Sequence, residues 1–211
     1  MNPSPKKASR SKRVLTPSIA QWLKDLGIID DFEVKAVAAG RKEYEVLVRT
    51  HPSASEVKLT DVGFGVSQVL PALVQAFYPE RHATVWMEQP EIHLHPQVQA
   101  ELADVFISAV QARENGVERK AQMIVESHSE HFLNRLLRRV AEGSLNPDDL
   151  AIYFCRRSGA KTDLEPLKLN EFGDIENWPA NFFGDEMEDI AARTLAAMER
   201  KRQQAEGQAT E

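Results

Sequence analysis

Hydrophobic positions along the chain switch repeatedly between a helical and a strand period. Ile19, Trp22, Leu23 and Leu26 recur at the spacing that lines one face of a helix, and Gly27 follows as a stop. Thr16-Pro17 supplies an N-cap with proline at the first helical position. Phe32, Val34 and Val37, then Tyr44, Val46 and Val48, alternate with polar residues on either side of Ala39-Gly40-Arg41-Lys42. That pattern predicts a β-hairpin. Gly63-Phe64-Gly65 opens a second helix to about Tyr78, with Val66, Val69, Leu70, Leu73, Val74 and Phe77 apolar and Pro71 inside it as a source of a kink.

Beyond it the pattern becomes strand, helix, strand, helix. Residues 83–88 contain the short apolar run Val85-Trp86-Met87 and are followed at once by polar groups and Pro90, which reads as a buried strand. Pro96 starts a helix to about Arg113, with Val98, Leu102, Val105, Phe106 and Val110 turned inward. Met123-Ile124-Val125 is a second buried strand, and Ser129 caps a helix whose apolar side is Phe132, Leu133, Leu136, Leu137 and Val140. Its other face carries Arg135, Arg138 and Arg139, and Gly143 ends it. This order implies parallel strands with helices packed on the sheet, an α/β fold. Leu150–Arg157 and Leu164–Leu169 predict a hairpin or adjacent strands around Ser158-Gly159, and a last helix runs from Asp185 or Glu186 to about Gln203. No internal repeat is visible.

Composition narrows the picture. With 211 residues and a 42% apolar share, the chain can bury a real core. A net charge of −6 argues against nucleic-acid binding by the surface as a whole. Residues 1–13 are the exception, a basic stretch without periodicity that is expected to be a disordered, solvated tail or a nucleic-acid or partner contact. The single cysteine, Cys155, excludes an internal disulfide and, beside Ile152, Tyr153 and Phe154, is expected to be buried and inert. No apolar run is long enough to span a membrane, and no secretory signal follows the N-terminal lysines, so a cytoplasmic location is expected.

Three stretches bring in a family. Val85-Trp86-Met87-Glu88-Gln89-Pro90-Glu91-Ile92-His93-Leu94-His95-Pro96 resembles the Walker B and D-loop of ABC-type ATPases. The likeness is to those of the overcoming-lysogenization-defect, Gabija and RecF-like group. Asp61-Val62-Gly63-Phe64-Gly65-Val66-Ser67-Gln68 resembles their signature motif, and Ile124-Val125-Glu126-Ser127-His128-Ser129-Glu130 their switch-histidine strand, in the family's order along the chain. Residues 170–185 resemble a C-terminal extension found on some of these ATPases. The match covers roughly residues 55 to 195. It implies a partial P-loop NTPase sheet, with a helix and hairpin over 14–60, the ATPase lobe over 61–157 and an extension over 158–211.

The resemblance assigns roles. Glu88 corresponds to the carboxylate that holds Mg²⁺ through water, and an ionised carboxylate at a strand end suits that task. Gln89 stands where the family usually has the glutamate that orients attacking water. An amide can hydrogen-bond that water but cannot take its proton at neutral pH, so hydrolysis is expected to be reduced. Glu91 is the second candidate for the base. His128 resembles the switch histidine that hydrogen-bonds the γ-phosphate, and Glu126 is near enough in sequence to pair with it or with the metal. Gly63, Gly65, Ser67 and Gln68 precede or open a helix, where backbone N–H groups and the helix dipole favour an anion. In the family they contact ATP held by the opposite subunit of a dimer, although Phe64 and Val66 replace smaller or polar residues. A different chemistry is open from the residues alone: His93 and His95, two apart, would share one face of a strand and could ligate a metal with Glu91 and His128, as in a metal hydrolase, although Pro90 and Pro96 favour a loop there and no Asp or Cys ligand completes a site nearby. The apolar, turn-rich Trp178–Gly184 stretch is core filler of the extension or a partner-binding patch.

The 211 residues contain no Gly-x-x-x-x-Gly-Lys-Ser/Thr, the loop that cradles the β- and γ-phosphates. The expectation is therefore a C-terminal lobe that begins after the phosphate-binding lobe: a truncated gene, a fragment or half of a split enzyme. Such a chain needs a Walker A-bearing segment or subunit and, alone, binds ATP weakly or not at all. A non-catalytic module acting in trans with that partner is the alternative. The family implies a setting in DNA metabolism or anti-phage defence. No separate nuclease constellation is present, so DNA cutting would need a partner.

Overall fold

The computed structural model describes residues 19–38, 43–114, 116–179, 182, 192–198 and 200, without the side chains of Phe64 and Val66. The expected tail, the Thr16-Pro17 cap, the turn at 39–42 and both the start and the end of the last helix lie outside them. The chain forms two compact units that divide between Leu145 and Asn146.

The first unit opens with helix α1, of which residues 19–25 are described. Ile19, Leu23 and Leu26 are buried, as their spacing requires, and Gly27 turns the chain at φ 64°. Strands β1 (Asp31–Ala36) and β2 (Tyr44–Arg49) pair antiparallel, Asp31 opposite Arg49 and Ala36 opposite Tyr44. A two-residue strand β3 (Val57–Lys58) adds to the other edge of β2, an element too short to leave a period in the sequence.

Helix α2 (Phe64–Phe77) has Gly63 as its N-cap and contains Pro71. Its Val69, Ala72, Leu73 and Ala76 are buried. Strand β4 (Thr84–Glu88), helix α3 (Pro96–Gln111), strand β7 (Gln122–Glu126) and helix α4 (Glu130–Ala141) follow in the βαβα order expected. Helix α3 stops two residues earlier than its pattern suggested. Residues beyond it form the two-residue strands β5 (Arg113–Glu114) and β6 (Val117–Glu118), which the apolar pattern did not signal. β4 and β7 run parallel, in register from Thr84 opposite Gln122 to Glu88 opposite Glu126. A parallel pair needs a crossover connection, and α3 supplies most of it.

One face of this pair is core. Val85 and Met87 join Leu73, Leu102, Val105, Phe106 and Phe132 in one buried cluster. Each fully buried aliphatic or aromatic side chain there contributes roughly 1.5–3 kcal/mol of transfer free energy. Phe106 meets Phe132 edge to face at 5.8 Å between centroids. Helices α3 and α4 are also fastened by charge. Asp104 accepts from Arg135 Nη1 at 2.6 Å and from Arg139 Nε and Nη2 at 2.6 and 2.8 Å. Ser129 Oγ accepts the Phe132 N–H to cap α4, and Gly143, at φ 71°, ends it. The opposite face of β4–β7 presents Trp86, 64% exposed, and Ile124, 39% exposed.

The second unit is built on a hairpin of β8 (Ile152–Ser158) and β9 (Lys161–Leu167), turned at Gly159 with φ 62°. Leu167 and Ile175 are buried, and the Asn170 side chain accepts the Phe172 and Asp174 N–H groups to shape the following loop. Trp178 and Phe154 both pack on Phe182, at 5.2 and 5.1 Å between centroids. Cys155 departs from expectation: it is exposed. It pairs with Leu164, itself 65% exposed, on the open side of the hairpin, so an apolar run did not mean a covered one.

Candidate functional site

In open α/β sheets, ligands bind beyond the carboxyl ends of the strands. Here the ends of β4 and β7 bring Glu88 and Glu126 into register, with their Cα atoms about one strand spacing, ~4.8 Å, apart. Both residues are exposed. Two carboxylates side by side offer the hard oxygen donors that suit Mg²⁺, which is usually bound through one or two carboxylates plus phosphate oxygens and water. The donor set therefore fits the ion in that mode, not in an all-protein cage. Among the described residues no group of three or more His, Cys, Asp or Glu side chains could hold a metal.

The chain leaves β4 abruptly. Gln89 adopts φ 44°, a left-handed conformation uncommon for a residue with a side chain, and its N–H donates to the Glu126 carbonyl at 2.8 Å. The loop then turns on Ile92 N–H to Gln89 O and Leu94 N–H to Glu91 O, both 3.1 Å, with His93 also left-handed at φ 63°. Pro90 removes a donor and fixes φ, so residues 89–95 form a turn where a strand would have put His93 and His95 on one face. The His-x-His pair is accordingly split. His95 is the N-cap of α3, its Nδ1 accepting from the Gln97 N–H at 3.3 Å, while His93 borders the cavity beside β4.

That cavity, about 250 Å³, is lined by Gln89, Glu91, Ile92, His93, Gln99, His128 and Ser129. Three of the residues singled out by sequence, Gln89, Glu91 and His128, thus border one space. Glu88 lies one residue before it. Gly63, Gly65, Ser67 and Gln68 are not among its lining residues and stand at the N-terminus of α2. No described atom outside their own neighbours lies within 4 Å of where a Cβ would sit on Gly63 or Gly65. Among the described residues, nothing packed against these two glycines accounts for the missing side chains.

Glu91 is only 5% exposed. Its Oε1 accepts from Ser127 Oγ at 2.7 Å and from the His128 N–H at 2.9 Å. Its Oε2 is buried with no hydrogen-bond partner among the described residues. Ser127 and Gln99 are residues that sequence reasoning missed. The one available signal was the two hydroxyls flanking His128, of which only Ser129 was read, as a cap.

A family model described as "AAA ATPase domain" matches residues 6–133, more than half of the chain. The chain is a member of the AAA ATPase domain family. A second model, described as "Protein of unknown function (DUF3696)", matches residues 145–192 of this AAA ATPase. No curated protein matches its sequence. Among the solved structures similar to it is one described as "Structural biochemistry of ATP-driven dimerization and DNA stimulated activation of SMC ATPases". That structure superposes with a TM-score of 0.56 at 10% identity, covering 78% of this chain and 90% of the other. The likeness is one of fold: this chain shares its α/β architecture with that SMC ATPase structure. Among the described residues no helix is long and apolar enough to cross a membrane.

Proposed function

We propose that this chain is the C-terminal lobe of an ATP-hydrolysing, ABC-type ATPase of the overcoming-lysogenization-defect, Gabija and RecF-like group, completed by a segment or subunit that carries the Walker A loop. The observation that supports it is the meeting of Gln89, Glu91 and His128 around one cavity at the carboxyl ends of two parallel strands, beside the carboxylates of Glu88 and Glu126. In this reading Glu88 holds Mg²⁺, with Glu126 as its neighbour. Gln89 hydrogen-bonds the attacking water without taking its proton, and His128 donates to the γ-phosphate. Gly63, Gly65, Ser67 and Gln68 serve the nucleotide of the opposite subunit in an ATP-bound dimer, for which the bare backbone at the two glycines leaves room. The bound nucleotide with its ion would supply the charge that these groups order.

The uncovered Trp86 and Ile124 face of the sheet favours a further layer supplied by the Walker A-bearing partner. It equally suits the non-catalytic version of this reading, a module that lends its signature and D-loop surfaces in trans. The setting we propose is cytoplasmic DNA metabolism or anti-phage defence, with DNA as effector and any cutting left to a nuclease partner.

The test is ATP turnover and Mg-ATP affinity, measured for the 211-residue chain alone and with a co-expressed Walker A-bearing segment. Weak binding alone and hydrolysis in the mixture are expected, and micromolar affinity of the chain alone contradicts the proposal. In the active mixture, Gln89→Glu should change turnover more than affinity. If affinity alone moves, Gln89 does not face the water. Binding without any turnover would select the non-catalytic version.

A further inference from the structure

Glu91 is part of a closed hydrogen-bond circuit between the loops that follow β4 and β7. Its Oε1 holds Ser127 Oγ–H and the His128 N–H. Ser127 Oγ in turn accepts the Ser129 N–H at 3.1 Å. Ser129 Oγ–H donates to Gln99 Oε1 at 2.6 Å, and Gln99 Nε2 donates to the Leu94 carbonyl at 2.9 Å. Leu94 lies in the same loop as Glu91, so the circuit returns to where it began. The Gln89 N–H to Glu126 carbonyl bond further ties the loop after β4 to the end of β7. His128 itself is exposed, although the Glu91 carboxylate that holds its backbone N–H is buried. The backbone is fixed from below and the imidazole is left to face outward.

We propose that Glu91 is a positioning residue, not a base: it clamps the Ser127–His128 backbone, with Gln99 closing the clamp, so that displacement of the 89–95 loop is transmitted to the His128 imidazole. The chemistry of its position favours this. Oε1 is committed to two donors, and Oε2 is buried away from solvent, so neither oxygen is presented to an entering water. Hydrogen bonds to a charged acceptor are among the stronger ones, and breaking one inside the protein leaves its donor unpaired. The functional part of this inference rests on the reading of His128 as a nucleotide-facing group. The clamp itself does not.

The experiment compares wild type, Glu91→Gln and Glu91→Ala in the full chain. The amide carbonyl of Glu91→Gln still accepts both donors, whereas Glu91→Ala removes the acceptor. By amide hydrogen exchange followed by NMR, His128 N–H in Glu91→Ala should exchange about tenfold faster or more, while Glu91→Gln stays near wild type. Unchanged His128 exchange in Glu91→Ala overturns the clamp. Should Glu91→Ala fail to fold, Ser127→Ala and Gln99→Ala each cut the circuit at one point, and both must raise exchange at the 127–129 backbone for the proposal to stand.

In the mixture with the Walker A-bearing segment, Glu91→Ala should lower kcat about tenfold or more with KM within about threefold, and Glu91→Gln should restore turnover. Equal loss of kcat in Glu91→Gln and Glu91→Ala makes Glu91 the base and sinks the positioning role. If no nucleotide binds in any mixture, the proposed function fails while the exchange result still decides the clamp.

Discussion

The two faces of the β4–β7 pair come from the same two short strands and have opposite fates. On one, Val85 and Met87 are 6% and 8% exposed beneath the helices; on the other, Trp86 and Ile124 are 64% and 39% exposed. Parallel sheets are ordinarily covered on both sides. The covered face therefore carries the stability of this unit, and the open one carries apolar surface whose burial has been deferred. The proposed partner segment would complete that burial.

The largest effect should come from the covered side. Met87→Ala removes most of a buried side chain and leaves a cavity, which should cost about 2–4 kcal/mol in urea unfolding. A loss as small as that of a surface substitution would erase the contrast between the faces. Next is the charged fastening of the covering helices. Asp104→Ala should cost about 1–2 kcal/mol, because two partly buried guanidiniums lose the acceptor they share, although Arg139 keeps Glu142. Burial pushes the Asp104 carboxyl upward, but Arg139 and Arg135 outweigh it and hold the group below its ordinary value of 3.8. With the folded value depressed, its contribution is complete above the ordinary value and disappears as the pH falls through the folded one. Stability curves of wild type and Asp104→Ala should thus converge in strong acid, and parallel curves would refute the ion-pair account. The smallest effect belongs to the open face. Trp86→Ala should change the stability of the isolated chain by less than about 0.5 kcal/mol. The same substitution should weaken co-purification with a Walker A-bearing segment, and full retention would mean that this face is not where the segment sits.

Much of the first unit was readable from periodicity, because its helices are long and amphipathic and their ends carry Gly27, Gly63, Ser129 and Gly143 at the expected places. Short elements were not readable: β3, β5 and β6 have two residues each, and a period needs more than that to register. Cys155 was misjudged for a related reason. An unbroken apolar run says that a strand exists, not which of its faces is covered. At the candidate site, the residue types around Glu88, Gln89 and His128 were legible, while the environment of Glu91 was not. Its partners Ser127 and His128 lie 36 and 37 positions away and become neighbours only once β4 and β7 pair. Pro90 and Pro96 pointed to a loop at His93 and His95, as found, but no local pattern signals the left-handed Gln89 that shapes it.

The parallel pairing also fixes an order of events during synthesis. Thr84 and Gln122, which open the pair, are 38 positions apart, whereas β8 and β9 are joined by a tight turn. Contacts distant in sequence form slowly because the intervening chain must first be closed. On the ribosome β4 therefore emerges with Val85, Trp86 and Met87 unpaired and waits for α3 and β7 to be made. During that interval its apolar residues are open to chaperones, proteases and neighbouring nascent chains.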